Sequence, residues 1–168
     1  MTETLSPALP DEVDAAARKV LQAACDRKLS LATAESCTGG LLASILTDVE
    51  GVSGCFERGF VVYSEDAKCE LLGVARRTVE ECGAVSREVA IAMAEGALNA
   101  SRADIALSVT GFAGPGGPGD ESGLVHFACA RKGRPVTHCE QHFGDIGRGP
   151  TRIECLRTGL NMLAEAME

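Results

Sequence analysis

What most limits the folds open to this chain is the order of its hydrophobic periods. From about residue 11 to residue 110, segments of helical period alternate with short β-rich apolar runs. After residue 123, two β-rich runs follow one another with only a turn between them. A sheet buried on both faces needs a helix between successive strands, and adjacent strands without one form a hairpin. The pattern predicts an α/β chain, a three-layer α/β/α sandwich with a mixed β-sheet.

Local signals place the elements. Pro10 and Asp11 open a helix over 11–28 with Val13, Ala16, Ala17, Val20, Leu21 and Ala24 on its apolar stripe. A strand over 29–34, a tight connection over 35–38 and a helix over 39–47 follow, then a loop over 48–54 and a strand over 56–63. Ser64 caps a helix over 65–72 that Gly73 stops, and a short helix over 76–81 closes near Gly83. Ser86 caps the next helix, which carries Val89, Met93, Ala97 and Ala100 on one face. A strand over 104–110 runs into a Gly/Pro loop over 111–122. Strands over 124–130 and 136–143 join at Lys132–Gly133, and a last helix runs from about 149 to 167. A chain of 168 residues suits one domain over 1–168, with 1–10 expected to be flexible.

Chemistry concentrates in three places. Thr33-Ala34-Glu35-Ser36-Cys37-Thr38-Gly39-Gly40 sets a hydroxyl and a thiol between a strand and a helix. Unpaired amides at a helix start can hold an oxyanion or a phosphate, and Gly39 and Gly40 let a ligand approach the backbone. The bland reading is an ordinary capped helix. Tyr63, the only tyrosine, ends a strand five residues before Lys68. A serine nucleophile needs a base, and a buried lysine can serve because desolvation disfavours its ammonium form. A lone lysine on an exposed helix face is the plain alternative. The loop after Thr110 contains Gly111, Gly114, Gly116 and Gly119, yet Pro115 and Pro118 interrupt any dinucleotide fingerprint. It reads as a loop able to cover a ligand.

Composition removes other classes. The net charge of −8 shows no basic patch for nucleic acid. No apolar run approaches the ~20 residues of a membrane span, and no signal peptide opens the chain, so a cytoplasmic protein is expected. The eight cysteines include no C-x-x-C pair, so they read mostly as small buried hydrophobes, with a disulfide scaffold disfavoured. A metal site from His138, Cys139 and His142 is disfavoured, because i and i+4 on a strand lie roughly 13 Å apart at ~3.3 Å per residue. Cys37 remains a rival nucleophile, with His126, His138 or His142 as base.

The stretches TAESCTGG at 33–40, FERGF at 56–60, YSEDAK at 63–68, LLGV at 71–74, GAVS at 83–86, EGAL at 95–98 and VTGFAGPGG at 109–117 resemble, in order and spacing, the CinA C-terminal domain family. Stand-alone members of that family are nicotinamide-nucleotide amidohydrolases. The resemblance implies hydrolysis of nicotinamide mononucleotide to nicotinate mononucleotide and ammonia, with no cofactor and no metal. It implies Ser36 as nucleophile, Lys68 as base and Tyr63 beside them. Cys37, Thr38, Gly39, Gly40, Thr110, Gly111, Gly114 and Arg148 are the implied substrate-binding positions. A small nucleotide is then the partner, in a homo-oligomer, with no nucleic acid or membrane involved. The family's Gly-Asp-Arg becomes Gly144-Asp145-Ile146-Gly147-Arg148, so the arginine is displaced and Arg152 also becomes a candidate for the phosphate. A catalytically inactive nucleotide-binding or regulatory domain of the same family is the alternative.

Overall fold

The computed structural model describes residues 9–168, so most of the flexible start expected over 1–10 lies outside the described residues. Its helices are α1 (Asp11–Asp26), α2 (Leu41–Thr47), α3 (Glu65–Leu72), α4 (Arg76–Cys82), α5 (Arg87–Asn99) and α6 (Arg148–Ala166). Its strands are β1 (Leu31–Glu35), β2 (Phe56–Val61), β3 (Ile105–Gly111), β4 (Leu124–Arg131) and β5 (Thr137–His142). The sheet order is β2-β1-β3-β4-β5. β1 pairs in parallel with β2 and β3, and the β3–β4 and β4–β5 pairs are antiparallel.

Helices cover both faces, which makes the expected three layers. α1, α2 and α6 pack over Leu31, Leu107 and Phe127. α5, with α3 and α4 beside it, packs over Ala32 and Ala106 through Val89 and Met93. Every residue of β1 is buried, as a central strand requires. Its alanines at 32 and 34 leave room for α5 on that side.

The caps fall where the sequence puts them: Ser64 Oγ accepts from Ala67 N–H and Ser86 Oγ from Val89 N–H, while Gly73 ends α3 at φ 67°. Boundaries move in two places that matter. β1 runs to Glu35, so the connection begins at Ser36. α2 starts at Leu41, because Gly39 (φ 59°) and Gly40 (φ 95°) take left-handed conformations that end the turn before the helix can begin.

The cysteines correct the sequence reading. Only Cys37, Cys129 and Cys155 are buried. Cys82 is exposed, and Cys25 and Cys55 form a disulfide. Packing of α1 on the turn before β2 brings these two Cα atoms to 5.6 Å across a separation of 30 residues, which no local spacing announces. Among the described residues no helix is long and apolar enough to cross a membrane, and no group of three or more His, Cys, Asp or Glu could hold a metal ion.

Candidate active site

The turn leaving β1 is held on several sides. Ser36 N–H donates to the Val109 carbonyl of β3 at 3.0 Å, and Gly39 N–H returns to the Ser36 carbonyl at 3.1 Å. Glu35, fully buried, accepts from the N–H groups of Leu42 and Ala43 at 2.8 and 2.9 Å and from the Thr33 hydroxyl at 3.3 Å. From α6, Arg152 Nη2 donates to the Thr38 carbonyl at 2.8 Å. Ser36 is left only 7% exposed, beside a cavity.

Lys68 reaches the same point from α3. Only 1% of it is exposed, against the expectation for a lysine between Glu65, Asp66 and Glu70. Its Nζ lies 2.9 Å from Ser36 Oγ, 2.8 Å from the Val62 carbonyl and 3.3 Å from the Tyr63 carbonyl. Burial pushes its pKa below the ordinary lysine value, opposed by the nearby Cys37 and Glu65. A neutral amine has two N–H donors and one lone pair. With the donors on the two carbonyls, the lone pair faces the serine hydroxyl, which is the orientation a general base needs.

The cavity, about 310 Å³, is lined by Ser36, Cys37, Tyr63, Lys68, Thr110, Gly111, Gly114 and Arg148, with Ala84, Val85 and the loop to Gly116 closing it. It takes a small ligand. A groove of about 350 Å³ between α1 and α6 is lined by Ala16, Val20 and Leu160 and offers no nucleophile with a base.

The profile of the CinA C-terminal domain matches residues 13–167. The chain belongs to that family. Nicotinamide-nucleotide amidohydrolase PncC of Escherichia coli K12 is 48% identical over 130 residues, covering 76% of this chain and 79% of that protein. A CinA-like protein of Leptospira borgpetersenii is 43% identical over 145 residues; the match covers 85% of this chain but only 34% of that longer protein. The crystal structure of the competence/damage inducible protein CihA from Agrobacterium tumefaciens superposes with a TM-score of 0.91 at 44% identity, covering 99% of each chain. That of a CinA superfamily protein from Escherichia coli gives 0.86 at 33% identity, covering 92% of this chain and 90% of that one.

Within this CinA domain the candidate residues divide. Cys37, Thr110, Gly111, Gly114 and Arg148 border the cavity; Thr38, Gly39 and Gly40 do not. The left-handed turn carries Gly39 toward Arg152 and Gly40 toward Val61, and buries the Thr38 hydroxyl with no partner. Tyr63 is 70% exposed at the rim, and its contact with the amine runs through its carbonyl. Arg148 lies against Gly114. Thr110 Oγ1 donates to the Ala84 carbonyl at 2.8 Å, tying β3 to the segment before α5.

The rival readings find less. None of the three histidines borders the cavity. His126 pairs with His138 at 3.0 Å, and His142 lies between Glu121 and Glu140 at 2.7 and 2.8 Å. Cys37 takes a hydrogen bond from Cys155, which lowers its pKa and raises its partner's, so this thiol faces another thiol rather than an imidazole. Sequence reasoning passed over Glu35 and Val62, and it offered Arg152 only for the phosphate, whereas Arg152 holds the Thr38 carbonyl and does not border the cavity. Glu35 and Arg152 are ordinary charged residues until the fold buries parts of them, and Val62 acts through a carbonyl that no side-chain pattern encodes.

Proposed function

We propose that this chain is an amidohydrolase that converts nicotinamide mononucleotide to nicotinate mononucleotide and ammonia. The supporting observation is the contact between Lys68 Nζ and Ser36 Oγ, 2.9 Å long, at the wall of a ligand-sized cavity. The named activity of the Escherichia coli relative supplies the substrate class.

The neutral amine of Lys68 takes the Ser36 proton as Oγ attacks the carboxamide carbon. The oxyanion needs main-chain donors. Ser36 N–H is committed to Val109 and Gly39 N–H to Ser36, and Thr38 lies off the cavity, so the amide of Cys37, which borders it, is the one proposed for the oxyanion. The ammonium of Lys68 then returns its proton to the leaving nitrogen, and the C–N bond breaks to give ammonia and an ester on Ser36. Water, deprotonated by the same amine, hydrolyses that ester to the carboxylate. Arg148, at the start of α6 and beside Gly114, is suited to the substrate's phosphate. Tyr63, at the rim, is suited to cover the pyridine ring rather than to relay a proton.

The test is ammonia release from nicotinamide mononucleotide by the wild-type chain and by Ser36→Ala, which leaves Cys37 intact. Losing a nucleophile that works with a base typically costs about 10⁴–10⁶ in kcat, and a loss of that order with nucleotide binding retained is expected. Unimpaired turnover in Ser36→Ala would remove serine from the mechanism. Wild-type protein that binds the nucleotide but releases no ammonia would return the chain to the non-enzymatic reading.

A further inference from the structure

Glu35 is the one fully buried carboxylate among the described residues, and the mechanism above gives it no role. Its side chain is spent entirely on holding structure. Oε1 accepts from Leu42 N–H at 2.8 Å, and Oε2 accepts from Ala43 N–H at 2.9 Å and from Thr33 Oγ1 at 3.3 Å. These bonds run from the last residue of β1 to the first turn of α2 and close a ring around residues 36–41. The serine is the first residue inside that ring.

The main chain of Glu35 serves the other reacting group. Its carbonyl accepts from Val62 N–H at 2.9 Å, and the Val62 carbonyl in turn accepts from Lys68 Nζ at 2.8 Å. One residue therefore braces the turn that aims the hydroxyl and the strand end that aims the amine. Gly59 on β2 makes the arrangement possible. A Cβ at that position would lie 2.9 Å from Thr33 Oγ1 and 3.0 Å from Ala43 Cβ, so any larger residue would push apart two groups that gather around the carboxylate.

We infer that Glu35 is a positioning residue for the nucleophile–base pair, fixing the separation of Ser36 Oγ and Lys68 Nζ by bonding the first turn of α2 to the end of β1. The inference rests on the roles proposed for Ser36 and Lys68. A capping residue that served stability alone would be interchangeable with any other cap. A positioning residue affects the step in which the serine attacks, because misplacing a reacting atom by about 1 Å costs as much as 10²-fold in rate.

Glu35→Gln separates these roles. Its amide keeps one acceptor oxygen but turns an NH₂ toward either Leu42 N–H or Ala43 N–H, so one bond of the ring becomes a donor–donor contact. Four measurements apply: thermal unfolding, kcat and KM for ammonia release from nicotinamide mononucleotide, and the rate at which a fluorophosphonate labels Ser36, followed by intact mass. Glu35→Gln is expected to fold and to keep KM within about threefold, with kcat and labelling rate both falling about 10–100-fold, the usual cost of losing a group that orients a reacting one. Folded Glu35→Gln with wild-type kcat and labelling overturns the inference. Should Glu35→Gln fail to fold, Thr33→Val carries the test, because it removes only the hydroxyl donor. A severalfold fall in kcat at unchanged KM supports the role, and a wild-type kcat overturns it. Ser36→Ala in parallel tells two failures apart. If it still turns over, the nucleophile assignment falls and this inference with it. If it is inert while Glu35→Gln is wild-type, only the role of Glu35 falls.

Discussion

Lys68 is the residue whose environment departs furthest from what its neighbours in sequence suggest. Glu65, Asp66 and Glu70 mark an exposed helix, yet the amine is buried against Ser36 and two carbonyls. Its behaviour with pH follows from that burial. The folded-state pKa is depressed below the ordinary 10.5 because burial penalises the ammonium. Between the folded and unfolded values the unfolded chain binds more protons, so stability rises with pH across that window and levels off above about 10.5, with a slope of at most about 1.4 kcal/mol per pH unit. In the proposed mechanism activity rises in the same direction, since only a neutral amine can accept the serine proton. The plot of kcat/KM against pH is therefore expected to show an acid limb below 10.5. Lys68→Met is expected to abolish turnover and to flatten the stability–pH slope in that window, measured by urea unfolding. A Lys68→Met chain that keeps the acid limb would assign it to another group.

At the scale of elements, most of the chain was legible. Ser64, Gly73 and Ser86 punctuate helices with local chemistry that survives any tertiary context; α3 and α4 lie within a residue of their expected bounds, and α5 starts directly after its expected cap. What escaped was contact between elements. Gly96, inside the last turn of α5, looks like a helix defect, and by propensity alone Gly→Ala there would gain up to about 1 kcal/mol. The structure reverses the sign. A Cβ at Gly96 would run into the main-chain carbonyl of Leu72, at the end of α3. Backbone cannot rotate away as a side chain can, so α3 must shift, and Lys68 rides on α3 one turn earlier. Gly96→Ala is expected to destabilise by about 1–3 kcal/mol, the usual cost of overpacking, and to lower kcat more than it raises KM. A more stable, fully active variant in thermal unfolding and steady-state assays would show that α3 is not pressed against α5 there.

At the scale of the whole molecule, strand order decides where chemistry sits, and one sequence does not reveal strand order. β1 lies between β2 and β3 with all three parallel, so the turn after β1 and the loop after β3 open at one edge of the sheet, the carboxyl ends where α/β sheets take ligands. TAESCTGG and VTGFAGPGG, 69 residues apart between Ser108's neighbour Val109 and Gly40, meet there. The Cys25–Cys55 disulfide lies at the other edge. Cys55 directly precedes Phe56, which pairs with Leu31 at the start of β1, whereas Ser36 follows its end. Five strand residues, about 16 Å at ~3.3 Å each, separate the two edges. Stability and chemistry should then respond separately. Closing a 30-residue loop restricts the unfolded chain by about 3–4 kcal/mol in the chain-entropy account. Cys55→Ser is expected to lower the urea-unfolding free energy by up to that amount while leaving kcat and KM at their wild-type values. A fall in kcat matching the loss of stability, at temperatures where the variant stays folded, would mean that the amino ends of β1 and β2 help to set the geometry of Ser36 and Lys68.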